Sequence, residues 1–330
     1  MNPPPFATHW ARELGTKEES LIQLKGGINN RVYRCGKGTD SYVIKGYSPT
    51  AGGLRDRMRA EVEFLIYAAK VAPQYVPKLI HVDLNRRCVV LEHIEGTLYP
   101  EGKKPSSGDI KAAVDFFRQL NEPREVARKY ILLDAADGFL RLTEHIDNIR
   151  ERLSRMSTNH LPNNLKAYGG KLYRLVQEAT IRTAEKLETL IDKGRLADSI
   201  IPEQRCVSPS DFGFHNAIRT ASHVKFIDFE FAGWDDPAKT CADFILQPRV
   251  PIGLKKSPLE EVVNTLKPED QMIRADVLKT ILSLKWVCIT LAILDQERLD
   301  GVLALHSKDA VGRLLTERFR QAQNMLDKLI

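Results

Sequence analysis

Three oxygen-bearing side chains in the second half of the sequence have the types and order that phosphoryl chemistry needs. Asp211 is followed five residues later by Asn216, and Asp228 then closes the apolar run Val224-Lys225-Phe226-Ile227. A carboxylate at Asp211 can accept a hydrogen bond from an attacking hydroxyl, orient it and take its proton late in the reaction. The amide oxygen of Asn216 and the carboxylate of Asp228 are hard ligands suited to magnesium, which would bridge to the β- and γ-phosphates of a nucleotide. Two further residues stand far upstream. Lys45 ends Tyr42-Val43-Ile44-Lys45, and Glu61 lies inside the next helical stretch, where it can hold the ammonium against the α- and β-phosphates. Glu63 is the rival partner for Lys45, but it sits two positions round the helix and should face elsewhere.

These residues need elements that bring them together. Residues 21–24 alternate apolar and polar, and Gly26-Gly27 breaks that run. Residues 32–35 and 41–45 flank a glycine-containing turn and read as a hairpin. Residues 55–70 carry helical spacing, with Met58, Val62, Leu65, Ile66 and Ala69 on one face, and prolines at 73 and 77 end the run. Residues 78–84 and 88–91 form a second hairpin pattern. After Gly96 the character changes. A helix is expected through Leu120, capped by Ser107 or Asp109, and residues 139–156 and 165–191 are long helical stretches. A strand-like island spans 206–231, and helices continue to the end, including a face of Val311, Leu314, Leu315, Phe319, Ala322, Met325 and Leu329. The fold expected is α+β and bilobal. A nucleotide-covering N-lobe occupies residues 1–95, after a partly disordered 1–8. A mostly helical C-lobe occupies 96–330 and holds the catalytic loop 206–216 and the metal-binding segment 224–237.

The 330 residues are 43% hydrophobic and 28% charged, ample for a packed core. The longest apolar run, residues 286–294, is half of the roughly 18 residues that a membrane span requires, so no span is expected. The proline-rich start lacks a secretory pattern. Five cysteines (Cys35, Cys88, Cys206, Cys241, Cys288) are scattered without a CxxC pair, which argues against zinc and redox motifs and fits a reducing cytoplasm. The net charge of +6 is dispersed among acids rather than run together, so nucleic acid is not the expected partner.

Taken together, Gly26-Gly27-x-x-Asn30 before a strand, Lys45, Glu61, the Asp211/Asn216 loop and Ile227-Asp228-Phe229-Glu230-Phe231-Ala232-Gly233-Trp234-Asp235-Asp236-Pro237 resemble the aminoglycoside and choline phosphotransferase superfamily, which has a protein-kinase-like fold. The resemblance covers residues 20–245 by motif order. It implies a small five-stranded antiparallel N-lobe with one helix. It implies a hinge at 92–95, where backbone groups of Glu92 and Ile94 would meet adenine, and a glycine turn at Gly26, Gly27 and Asn30 that covers the phosphates. The expected activity is transfer of the γ-phosphoryl group of ATP, with Mg2+, to a hydroxyl of a small molecule. The basic balance favours a sugar or related metabolite over a polycationic antibiotic. The competing readings are a nucleotide-binding pseudokinase or scaffold, and an aminoglycoside-type antibiotic kinase. A protein kinase would carry a longer segment after Asp228 and an Ala-Pro-Glu signature.

Two departures stand out. The family usually has His-Gly before the catalytic aspartate, where this sequence has Pro209-Ser210. It also tends to place an aspartate where Thr240 stands, with Asp243 one turn on as its structural substitute. His215 is not a substitute for the missing histidine by position. Glu230 is either an indirect magnesium contact or an acceptor contact. Lys285, in the apolar stretch 281–294, either snorkels to the surface or lines the acceptor pocket. Arg249 and Arg274 read as surface residues or as contacts to an anionic substrate, and His93 as an ordinary side chain.

Overall fold

Alternation of buried and exposed residues along 30–47 builds the centre of a five-stranded antiparallel sheet. The structure, a computed structural model, describes residues 3–24, 30–38, 40–48, 55–266, 271–305 and 308–329. The sheet contains β1 (Ile22–Gln23), β2 (Asn30–Lys37), β3 (Asp40–Tyr47), β4 (Leu79–Asp83) and β5 (Cys88–Glu92), in the order β1-β2-β3-β5-β4. Val32 pairs with Lys45, and Lys45 with Val89. The residues on either side of Lys45 in sequence, Ile44 and Gly46, point to the opposite face by the period-2 rule.

That opposite face is covered by a helix the sequence reading did not expect. Residues 1–8 were expected to be partly disordered, yet α1 spans Pro5–Glu13. Its start is set by Pro5 at the first helical position, where the missing N–H costs nothing. Ala11 packs with Cys35 and Ile44, and Phe6, Trp10 and Leu14 close over them. Gly46 is required here, because a Cβ at that position would stand 2.3 Å from the Phe6 ring. Trp10 Nε1 donates to Asp83 Oδ2 at 3.0 Å, tying α1 to the far edge of the sheet.

The helix α2 (Arg57–Val71) begins at Asp56, whose side chain accepts from the Arg59 amide. The short strand β6 (Thr97–Leu98) leads to α3 (Ser107–Asn121). Ser106, rather than Ser107 or Asp109, is its N-cap, and Asp109 closes a capping box from the N3 position. A four-residue α4 (Arg124–Ala127) follows, then α5 (Leu142–Ser154) and α6 (Asn163–Asp192). The island after them contains β7 (Cys206–Ser208), β8 (Ala217–Arg219), β9 (Val224–Phe226) and β10 (Gly233–Asp235). The chain continues through α7 (Pro237–Leu246), α8 (Glu260–Leu266), α9 (Gln271–Thr290), α10 (Gln296–Leu305) and α11 (Lys308–Leu326). The architecture is α+β.

The chain forms two compact units. The first comprises Met1–Gly138, Arg205–Thr240 and Gln247–Val263. It holds the sheet, α1 to α4 and β6 to β10. Its interior carries an aromatic cluster in which Phe116 stacks on Phe226 at 5.1 Å and Phe64 on Phe229 at 4.5 Å. The second comprises Phe139–Gln204, Cys241–Leu246 and Asn264–Ile330. Within it α5, α6, α9 and α11 pack on one another. Residues Ile273–Leu294 are apolar enough over 22 residues to cross a membrane by length and composition, a longer stretch than the sequence reading recognised. Its most apolar window is 61% buried, the burial of a core helix. Arg274, expected at the surface or on a substrate, is 3% exposed and donates to the carbonyls of Leu140, Ala197 and Asp198 at 3.0–3.1 Å. All five cysteines are buried.

Candidate active site

The chemistry-bearing residues Lys45, Glu61, Asp211, Asn216 and Asp228 lie in the first unit. Lys45 Nζ donates to Glu61 Oε2 at 2.6 Å and also bonds Asp228 Oδ1. Strand β3 supplies the lysine and α2 the glutamate. Tyr47, two residues on from Lys45 and therefore on the same face of β3, donates its hydroxyl to the same Glu61 oxygen at 2.5 Å. Glu63 faces elsewhere, accepting from Arg59 Nε and from the Leu132 amide. Burial opposes the charge on Lys45, but the carboxylates of Asp228, Glu61 and Glu230 outweigh it and hold its pKa above the ordinary lysine value.

Glu230 completes this cluster. Its side chain is 4% exposed, 3.9 Å from Lys45 Nζ and 3.9 Å from Arg57 Nη1, and it accepts from Asn30 Nδ2. Burial raises the Glu230 pKa despite the lysine. Asn30 thus reaches Glu230, while Gly26 and Gly27, the turn proposed to cover phosphates, lie outside the described residues.

The turn of Asp211 follows β7. Asn216 Nδ2 donates to the Asp211 carbonyl and to its Oδ2, both at 3.1 Å. That commitment of the amide nitrogen leaves Oδ1 of Asn216 as the atom able to face a cation. The β8–β9 hairpin then returns the chain, and the Ile227 amide donates to the Asn216 carbonyl at 2.9 Å. This single bond places Asp228 one residue from Asn216 across the hairpin. Asp228 has φ +68° and Ser210 φ +65°, left-handed conformations that are uncommon for residues other than glycine. Such strain persists where the surroundings over-determine the backbone, and it concentrates at functional sites. Ser210 stands where the resembling family has glycine.

Two residues on Asp211 escaped the sequence reading. His215, set aside there, has its Nε2 3.1 Å from Asp211 Oδ1. Gln247 Nε2 donates to the same oxygen at 3.2 Å. Burial would raise the Asp211 pKa, but the contacts from His215, Asn216 and Gln247 outweigh it and hold it below the usual carboxylate range. The four-residue spacing from Asp211 to His215 was the only local signal for either contact. Thr240, standing where an aspartate was expected, donates to Ser208 Oγ at 3.0 Å, and Ser208 Oγ accepts the Ser210 amide at 3.0 Å. A hydroxyl pair therefore supports the base of this turn. Asp243 instead faces Lys285 Nζ at 3.6 Å inside the second unit, with both side chains at most 10% exposed.

The rest of the Asp228 segment is structural. Asp236 caps α7 by accepting from the Ala238 amide at 2.8 Å, and Asp235 holds buried Lys239 at 2.6 Å. In the connector, Glu92 ends β5. Its amide donates to the Lys78 carbonyl at 3.0 Å and its carboxylate accepts from Lys225 at 2.7 Å. The His93 amide donates to Ser41. Arg249 is exposed and pairs with Glu101 at 2.8 Å. Among the described residues, no group of three or more His, Cys, Asp or Glu side chains is placed to hold a metal ion. Asn216 and Asp228 offer two hard oxygen donors. That set fits magnesium, which keeps several waters and takes most of its remaining ligands from substrate phosphates.

The family model for the phosphotransferase enzyme family matches residues 20–245. No curated protein matches the sequence. Among solved structures, a choline/ethanolamine kinase family protein from Mesorhizobium loti is similar with a TM-score of 0.56 and 18% identity, covering 93% of this chain and 87% of that one. A choline kinase from Cryptosporidium parvum has a TM-score of 0.59 and 14% identity over 95% of this chain and 91% of its own. A spectinomycin phosphotransferase solved with ADP and spectinomycin has a TM-score of 0.56 and 14% identity, covering 92% of each chain. At these identities the likeness is one of fold.

Proposed function

We propose that the chain, which belongs to the phosphotransferase enzyme family, moves the γ-phosphoryl group of ATP to a hydroxyl of a sugar or related small metabolite. The observation that carries the reading is the bonding of Lys45 at once to Glu61 and Asp228. One buried ammonium joins the strand that would hold the α- and β-phosphates to the carboxylate that would meet the metal.

In this reading Glu61 and Tyr47 fix Lys45 in place against the phosphates. Asn216 and Asp228 would hold Mg2+, which would supply neutralisation of phosphate charge. Asp211 orients the acceptor hydroxyl in line; as its oxygen bonds the γ-phosphorus, the bond from that phosphorus to the bridging oxygen breaks and ADP leaves, and Asp211 receives the hydroxyl proton. Its lowered basicity suits a positioning role better than early deprotonation, consistent with a loose transition state in which little proton transfer is required at first. The Glu92 amide is engaged inside the sheet, so the backbone donor to adenine would be that of Ile94, just beyond the end of the strand, with Glu92 contributing at most its carbonyl. Residues 1–95 form the nucleotide-covering lobe and 96–330 the helical lobe. Glu230 acts through Lys45, Asn30 and Arg57 rather than on the acceptor. The net charge of +6 suits a neutral or anionic acceptor better than a polycation.

An ATP-consumption screen with Mg2+ against sugars, amino alcohols and nucleosides tests this. Consumption should rise with one acceptor class in the wild type. Asp211→Ala should lose at least a hundredfold in turnover while retaining nucleotide binding, and Asp228→Ala should lose the Mg2+-dependent part of nucleotide binding. Full transfer by Asp211→Ala would overturn its role. Tight Mg2+-dependent nucleotide binding with no transfer to any acceptor would point to a nucleotide-binding scaffold.

A further inference from the structure

We propose that His215 and Gln247 are positioning residues that clamp Asp211 Oδ1 and leave Oδ2 as the one place on this carboxylate where an acceptor hydroxyl can bind. The inference rests on the role of Asp211 proposed above and adds which oxygen does the work and what sets it.

An ionised carboxylate offers about four lone-pair sites, two on each oxygen. On Asp211, Oδ1 meets both His215 Nε2 at 3.1 Å and Gln247 Nε2 at 3.2 Å. Oδ2 meets Asn216 Nδ2 at 3.1 Å. Three of the four sites are filled, and the remaining one is on Oδ2. That is the oxygen on the Asn216 side, where the metal ligands lie. An acceptor hydroxyl seated there would lie on the side of the residues proposed to hold the metal.

The clamp is built into the fold. The His215 side chain is 5% exposed and Gln247 is 3% exposed, so neither is a surface group that happens to lean over. Gly213 makes the room. A Cβ at residue 213 would stand 2.9 Å from Gln247 Cγ and 2.9 Å from His215 Nδ1, between the two arms. The backbone at Gly213 is extended, at φ 175°, so the glycine is needed for space and not for its conformation. The tautomer follows from the pairing. An imidazole with a bare Nε2 would set a lone pair against the carboxylate, so Nε2 carries the proton. Nδ1 is buried with no hydrogen-bond partner, which is the position the bare nitrogen should occupy.

Two measurements on the full chain decide the matter. Long-range 1H–15N spectra of the 15N-labelled protein, assigned by loss of a signal in His215→Gln, should show His215 with its proton on Nε2, and Asp211→Asn should shift that signal. A proton on Nδ1 with Nε2 bare overturns the clamp. This arm needs no acceptor, so it stands even if the screen finds no transfer. In turnover with the acceptor the screen identifies, His215→Phe and Gln247→Met should each lower kcat about tenfold, the scale on which misplacing a reacting group acts. KM for ATP should be unchanged. His215→Gln, whose amide nitrogen reaches about as far as Nε2, should recover most of the loss. Unchanged kcat in both removals overturns the proposal. So does equal loss in His215→Gln and His215→Phe, or a parallel fall in ATP affinity and melting temperature, which would mark a merely structural role.

Discussion

Lys45 shows how one residue can be both structural and functional, and how the two can be separated. It is 5% exposed and sits among Glu61, Asp228 and Glu230, two of which are themselves buried. Removing one partner of a buried ion pair leaves an uncompensated charge and costs about 3–5 kcal/mol. Lys45→Met should therefore destabilise the protein by about that amount in denaturant unfolding and also abolish transfer. Adding Glu61→Gln removes part of the orphaned charge while Tyr47 still finds an acceptor. The double variant should recover a good part of the stability and none of the activity. Recovery of activity would mean that Lys45 serves only the fold. At this scale the sequence was most legible where a residue type is dictated by its chemistry. Lys45 and Glu61 are bonded to each other, and so are Asp211 and Asn216. Gln247 was not legible, because it reaches Asp211 from 36 residues away and nothing local marks it. Lys285 was misleading for a related reason: its counter-charge, Asp243, is supplied by another helix.

At the scale of elements, α3 has the strongest local definition, and its cap is a testable part of it. Ser106 Oγ accepts the Asp109 amide at 3.2 Å, and Asp109 Oδ2 accepts the Ser106 amide at 2.9 Å. Arg219 of β8 bonds the same carboxylate, so the cap also joins the helix to the hairpin that carries Asn216. Burial would raise the Asp109 pKa, but the bonds from Ser106 and Arg219 outweigh it and hold it low. A carboxylate whose folded pKa is depressed stabilises the fold above its unfolded value and stops doing so as pH falls through the folded one. Asp109→Ala should therefore cost about 1–2 kcal/mol near neutral pH. The gap between wild type and variant should close as pH falls below about 4, the ordinary aspartate value. A gap that persists at lower pH would assign the effect to packing. The hairpins and α2 fall within two residues of the positions read from alternation and helical spacing, because both patterns are local. By contrast, α1 was missed. It is held by Phe6, Trp10 and Ala11 against Ile44 and Cys35, contacts that no window of sequence contains.

At the scale of the chain, the first unit does not end where its strand-rich part ends. The first unit takes its residues from three stretches of chain, ending at Gly138, Thr240 and Val263. Its later segments complete the earlier ones. Asn121, at the end of α3, donates to the Val207 carbonyl and accepts the Val207 amide, at 3.0 and 2.8 Å. The Trp234 amide donates to Leu133, and the Ala135 amide donates to Trp234. Trp234 Nε1 donates to the Ile131 carbonyl at 2.9 Å. Phe64 and Phe116, both fully buried, lose Phe212, Phe226 and Phe229 if residues 205–240 are absent. Stripping that cover exposes two large aromatic side chains and leaves buried backbone groups unpaired, costs that together are on the scale of the roughly 5–15 kcal/mol of net stability typical of a domain. A fragment of residues 1–138 therefore holds the entire five-stranded sheet, Lys45 and Glu61, and should still fail to fold. The expected result is no cooperative thermal transition by circular dichroism, and no shift on adding ATP and Mg2+ at concentrations that stabilise the full chain. A cooperative melt from this fragment would show that the sheet and its helices are self-sufficient, and that the returning segments contribute chemistry alone.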